Sequence, residues 1–237
     1  MKIIADLHTH TMVSQHAYST IDELSTMAFE RGLCALAITD HGPGMPDGAI
    51  AHHFYCLAGL PHVVNHVRLY QGAEVNIMDY AGTLDLESNL LDRLEFVIAS
   101  YHIECIKPQT ITQHTEGLLR AIENPQVDCL GHCGNPMFPI DAKAVVKACA
   151  AHHKLIEINA SSFKVRPGSH ATCRNIAQLC AEYGVNIVVN SDAHAKWFVG
   201  EHTDALSMLA EIDFPEELVL NASESRMNTY FELNKKG

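Results

Sequence analysis

Seven short runs of β-branched and aliphatic residues alternate with amphipathic stretches along the chain, and six of the seven end in a histidine or a carboxylate. The runs are expected as strands at 2–7, 33–39, 67–75, 95–101, 127–131, 154–159 and 185–190. The polar residues at their ends are His8 with His10, then His41, Glu74, His102 and His132, and finally Asp192 with His194. Strands joined by crossovers run parallel, in either an open doubly wound sheet or a closed barrel, and periodicity does not choose between the two. The strand ends do. An open sheet spreads them along a line, whereas a closed one gathers them on a single ring. The chain is therefore read as an α/β protein, a (βα)7 TIM-like barrel, with one domain spanning 1–237.

Helices are expected near 20–31, 52–66, 85–93, 110–123, 141–152, 170–183, 203–211 and 222–233, with Asp141 capping one and Ser169 another. The helix near 141 repeats Ala144, Val145, Ala148, Cys149 and His152 at three- and four-residue spacing, which gives one apolar face to lay on a sheet. Charge narrows the function classes. Sixteen Lys and Arg against 28 Asp and Glu leave a net charge of −12, which speaks against a nucleic-acid surface built on bulk positive charge. No apolar run reaches the roughly 18 residues that span a bilayer, and Asp6 cuts short any signal-peptide core, so a cytoplasmic protein is expected. The eight cysteines form no CxxC pair and read as reduced, largely buried thiols; the Asn-Ala-Ser sequons at Asn159 and Asn221 then carry no meaning.

Histidine is the compositional outlier, with 16 residues, as many as Lys and Arg together, and imidazole is the commonest metal-ligating side chain. In an extended strand, side chains at i and i+2 share a face, so His8 and His10 can reach a common ion. Asp6 has the same parity and is expected to accept a hydrogen bond from the free ring nitrogen of His8. His41 ends a strand that turns at once on Gly42-Pro43-Gly44. Glu74 sits in the apolar run Gly72-Ala73-Glu74-Val75, where a buried carboxylate is costly unless a cation shares it. Imidazole and carboxylate without thiolate suit zinc, manganese or iron. Asp40 has the opposite parity to His41 and is given a structural role, and His52, His53, His62, His66, His114, His152, His153, His170 and His202 are expected to pack on surfaces or helices.

The order His8-x-His10, His16, Thr39-Asp40-His41, Gly72-x-Glu74, His102, His132 and Ser191-Asp192-x-His194 resembles the PHP superfamily, named for polymerase and histidinol phosphatase. The opening Asp6-Leu7-His8-Thr9-His10-Thr11 is most similar to its small YcdX-type phosphatases. That resemblance implies a distorted seven-stranded barrel, the PHP fold, with three metal ions, zinc by preference. It places one ion on His8, His10, Glu74 and Asp192, a second on Glu74, His102 and His132, and a third on His16, His41 and His194. A metal-bridging hydroxide, with Glu74 and Asp192 as carboxylate ligands, would attack a small phosphate ester in line. The resemblance also allows a homotrimer.

The sixth strand breaks the pattern: it ends in Asn159-Ala160-Ser161-Ser162 with no expected ligand, followed by Lys164 and Arg166, which are candidates for the substrate phosphate or its far end. Lys196 and Trp197 are read as loop packing. Another metal hydrolase, such as an amidohydrolase, phosphodiesterase or nuclease, stays open, as do a non-catalytic PHP scaffold and a metal store. Amidohydrolases commonly bridge their ions with a lysine, where this chain offers Glu74.

Overall fold

The computed structural model describes residues 1–234. Among them, seven parallel strands form one sheet in the order β1 (Ala5–Thr9), β2 (Ala35–Ile38), β4 (Val67–Asn76), β5 (Phe96–Ser100), β6 (Cys129–Leu130), β7 (Leu155–Asn159) and β8 (Ile187–Asn190). The eighth, β3 (Val63–Val64), pairs antiparallel with β4. It replaces the second half of the helix expected at 52–66: α2 (Ala51–Leu57) stops early, and Asn65 and His66, both with positive φ, turn the chain back into β4. The helix expected at 85–93 shrinks in the same way to α3 (Ser88–Leu91).

The remaining helices are α1 (Ile21–Glu30), α4 (Ile111–Glu123), α5 (Ala142–His152), α6 (Ser162–Val165), α7 (Ser169–Tyr183), α8 (Thr203–Glu211) and α9 (Glu224–Leu233). Their starts follow local chemistry. Thr20 and Glu23 form a reciprocal capping box, and Asp141 accepts from Ala144 N at 3.0 Å as expected. Ser169 does not cap α7. Gly168 holds that position at φ 92°, a left-handed conformation that favours glycine, and Ser169 becomes the first helical residue. The short α6 was not anticipated; it folds the polar stretch after β7 back over the barrel mouth.

Barrel closure falls between β8 and β1, where the ladder is reduced to one bridge, Thr9 with Ala193, and the His10 N to Ala193 O bond of 2.9 Å. Side chains complete the seam. Asn190 Oδ1 accepts from Leu7 N, while buried Asn221 accepts from Val189 N and donates to Ala5 O and Val189 O. Below the mouth the barrel is packed with Leu7, Phe96, Ile98, Leu155 and Val188, and Met227 of α9 closes the floor. The C-terminal strand ends face the other way and remain polar.

Candidate metal centre

Parallel β-strands aim alternate side chains inward, and the closed sheet brings the expected strand-end residues to one place. His8, His10, His41, Glu74, His102, His132 and Asp192 are all buried, and His194 and His16 lie partly exposed above them. His8 Nε2 lies 3.2 Å from Glu74 Oε2 and 3.6 Å from Asp192 Oδ1; His10 Nε2 lies 3.6 and 3.2 Å from the same two atoms. None of these four atoms has a hydrogen-bond partner. Four ligands bound tetrahedrally at about 2.0–2.2 Å from one ion stand roughly 3.4 Å apart, so the set fits a divalent cation.

Glu74 Oε1 faces the other way, 2.9 Å from His132 Nε2 and 3.4 Å from His102 Nε2. Above this pair, His16 Nε2 and His194 Nε2 approach to 3.0 Å, with the His41 ring stacked 5.0 Å from that of His16. His41 Nδ1 also lies 2.9 Å from Glu74 Oε2. Donor atoms of His10, His41 and His194 cluster within 4.8 Å, as do those of His41, Glu74 and His102. His41 thus stands between the deep and the upper parts of the site.

The free ring nitrogens are aimed by partners on the opposite nitrogen. His102 Nδ1 bonds Asn76 Oδ1 at 2.7 Å, His16 Nδ1 bonds Asp47 Oδ2 at 2.8 Å, and His194 Nδ1 bonds Asp192 O at 3.0 Å. Such partners fix tautomer and orientation. For His8 the expected partner Asp6 is wrong: its Nδ1 lies 2.7 Å from Glu157 Oε1. The β1 register slips between Asp6 and Thr9, and the Asp6 carboxylate instead takes Ser191 N, Ser191 Oγ and Gly200 N. It anchors the segment that presents Asp192, whose φ of 56° is left-handed, as is the 26° of His132.

Glu157, on the strand that seemed to lack a functional residue, was missed in the sequence. Its signal matched that of Glu74, a lone carboxylate inside an apolar run. Asp40 is structural as expected, bonded by Thr11 and Ser14 and 3.3 Å from His53 Nε2, and His114 packs between Gln109 N and Pro139 O. Gly131 lets β6 approach the centre, since a Cβ there would strike Ser100 Oγ.

The buried carboxylates and imidazoles set one another's charge. Burial opposes ionisation of Glu74, yet the imidazoles of His8, His102 and His41 hold its carboxyl well below the ordinary range; Asp192 is likewise lowered against its burial by His8, His10 and His194. His8 shows the converse: burial disfavours its proton, but Glu157, Glu74 and Asp192 raise its pKa well above that of a free imidazole. Burial and neighbouring imidazoles lower His10, and burial with the Arg166 charge takes His132 down to about 4. His10 and His132 thus already favour the neutral form that ligates a divalent metal, whereas an ion binding at His8 would displace its proton.

Arg166 borders the mouth, with Nη1 donating to Ser162 Oγ at 2.9 Å and Nη2 3.6 Å from Asp192 Oδ2. Lys164 is mostly exposed with its amine 4.0 Å from Asp204, and Lys196 turns to Glu23 at 3.8 Å.

A closed parallel barrel with this much imidazole and carboxylate at its C-terminal mouth defines a metal-binding βα-barrel protein of hydrolase type. The chain belongs to the PHP domain family, whose model matches residues 6–161. Among its relatives, a probable phosphatase of Acetivibrio thermocellus is 43% identical, with all of this chain and 98% of the relative aligned. One from Clostridium botulinum is 44% identical over all of this chain and 97% of the relative. The fold is similar to that of a histidinol phosphate phosphatase from Lactococcus lactis solved with zinc, L-histidinol and phosphate, at TM-score 0.66 and 16% identity, covering 91% of this chain and 95% of that one.

Proposed function

We propose that this PHP-domain phosphatase hydrolyses small phosphoric monoesters at a centre of three zinc ions, with manganese or iron able to stand in. The observation that carries the reading is the convergence of four buried, unpartnered donors, from His8, His10, Glu74 and Asp192, at the spacing of a tetrahedral ligand set. The proposed second ion takes Glu74, His102 and His132, supported by the way Glu74 turns one oxygen to each set. The third takes His16, His41 and His194, supported by the stacked rings above.

Bound divalent ions supply Lewis acidity toward phosphoryl oxygens and acidify water to near neutral pH. The side chains do the rest. Glu157 and Asn76 hold His8 and His102 with their Nε2 atoms toward the centre. Arg166 is assigned to the phosphate, because its second nitrogen has only a loose contact with Asp192 and can turn to a second anion. Lys164, mostly exposed and 4.0 Å from Asp204, stays at the rim and is given no phosphate contact. Among the described residues no helix is long and apolar enough to cross a membrane, and eight free thiols suit the cytoplasmic location proposed here.

The test is turnover of para-nitrophenyl phosphate against its bis ester by zinc-loaded protein. Faster monoester hydrolysis is expected, and the reverse preference would point to a phosphodiesterase.

A further inference from the structure

We infer that the leaving group of the ester lies in a cleft between the segments that follow β7 and β8, and that it presents an apolar, planar portion to Phe198 and Val165. The inference rests on the phosphatase reading and adds the class of substrate.

The cleft encloses about 390 Å³, within the range of small-molecule sites, and shares His16, Asp192 and His194 with the ligand cluster. A group esterified to a phosphate at that cluster enters it directly. A cleft of about 290 Å³ also opens on the cluster, but beyond the ligands its walls are Met45, Asp47, Glu104 and Arg166, mostly charged, and one of about 550 Å³ shares only His102 with the cluster.

The walls favour an apolar occupant. Phe198 and Val165, 55% and 62% exposed, line this cleft and offer an apolar face that a ligand can cover. Of the charged groups at the rim, Glu201 is paired with Arg31 at 2.6 Å, Lys164 points outward 4.0 Å from Asp204, and Arg166 is the group assigned to the phosphate itself. A polyol or a second phosphate finds few open partners there, whereas an aromatic ring can stack on Phe198.

The backbone of both walls is tied down before anything binds. Phe198 N bonds Ala195 O at 2.9 Å, and Arg31 clamps the same turn through Trp197 O and Val199 O at 2.9 and 2.8 Å. Val165 N is held by Ser161 O at 3.1 Å at the end of α6. Little ordering entropy is therefore lost on binding.

Calorimetric binding of phenylphosphonate and methylphosphonate to the zinc-loaded protein tests this without turnover. The wild type should bind phenylphosphonate about tenfold tighter than methylphosphonate. Phe198→Ala should cut that preference to about twofold and leave methylphosphonate unchanged, with Val165→Ala in between. Equal affinities in the wild type, or a preference that survives both substitutions, would overturn the leaving-group site and leave the phosphatase reading standing. Failure to bind either phosphonate would overturn both.

Discussion

Glu157 Oε1 lies 2.7 Å from His8 Nδ1, and both side chains are sealed from water. The same carboxylate accepts from His132 N at 2.8 Å and from the side-chain amides of Asn159 and Asn190 at 3.1 and 2.9 Å. One buried anion thus steers two residues that belong to different proposed ions. Burial opposes its charge, but His8 lowers its pKa enough to keep it ionised.

Glu157→Gln tests that grip. Every neighbour of the carboxylate presents a donor, so the amide nitrogen of glutamine must face one of them. Zinc affinity should fall by about 10- to 100-fold, read by competition with a chromogenic chelator, while the fold persists. Unchanged affinity would show that His8 and His132 are positioned by the backbone alone.

Glu74→Gln removes the charge that both deep sets of donors share. Elemental analysis should find at least one ion lost, and phosphatase activity should fall below about a thousandth of wild type. Wild-type turnover in this variant would reject the shared-carboxylate centre.

Arg166 and Lys164 are two residues apart but differ in placement. Arg166→Ala should raise KM for a phosphomonoester at least tenfold, in line with the roughly 1.5–3 kcal/mol of a hydrogen bond to a charged group. Lys164→Ala should change it by less than about twofold, as exposed ion pairs contribute little. Comparable losses in steady-state kinetics would mean that both contact the phosphate.

Asn221 substitutes for a strand ladder at the barrel seam, so its removal strands Val189 N and two carbonyls in the interior. Asn221→Ala should cost about 3 kcal/mol in urea unfolding, since each buried group left unpaired costs about 1–3 kcal/mol. A loss under about 1 kcal/mol would mean that water or a shifted backbone fills the seam.

The strand-end residues were legible because barrel geometry converts chain position into spatial position: a residue just past a parallel strand lies at the mouth. His16 was not legible that way. It sits in a turn without periodicity, fixed by Asp47 from the segment after β2, and only the family pattern singled it out. The pairing of His8 with Glu157 was hidden because it depends on which strands become neighbours across the barrel. The sequon at Asn221 carried no sign that the residue is buried in the seam. Helix starts followed side-chain caps at Thr20 and Asp141, whereas the end of α2 was set by the β3–β4 hairpin, a tertiary pairing with little local signal.

The central claim is that the buried donors hold metal and that the metal-loaded chain cleaves phosphate esters. The most direct measurement is metal content per chain by elemental analysis, on protein purified without added metal or chelator, paired with turnover of one phosphomonoester. About three equivalents with turnover is the result expected from the proposed ligand sets. Less than one equivalent, with no activity after zinc or manganese is restored, would contradict the account and leave the barrel mouth a scaffold.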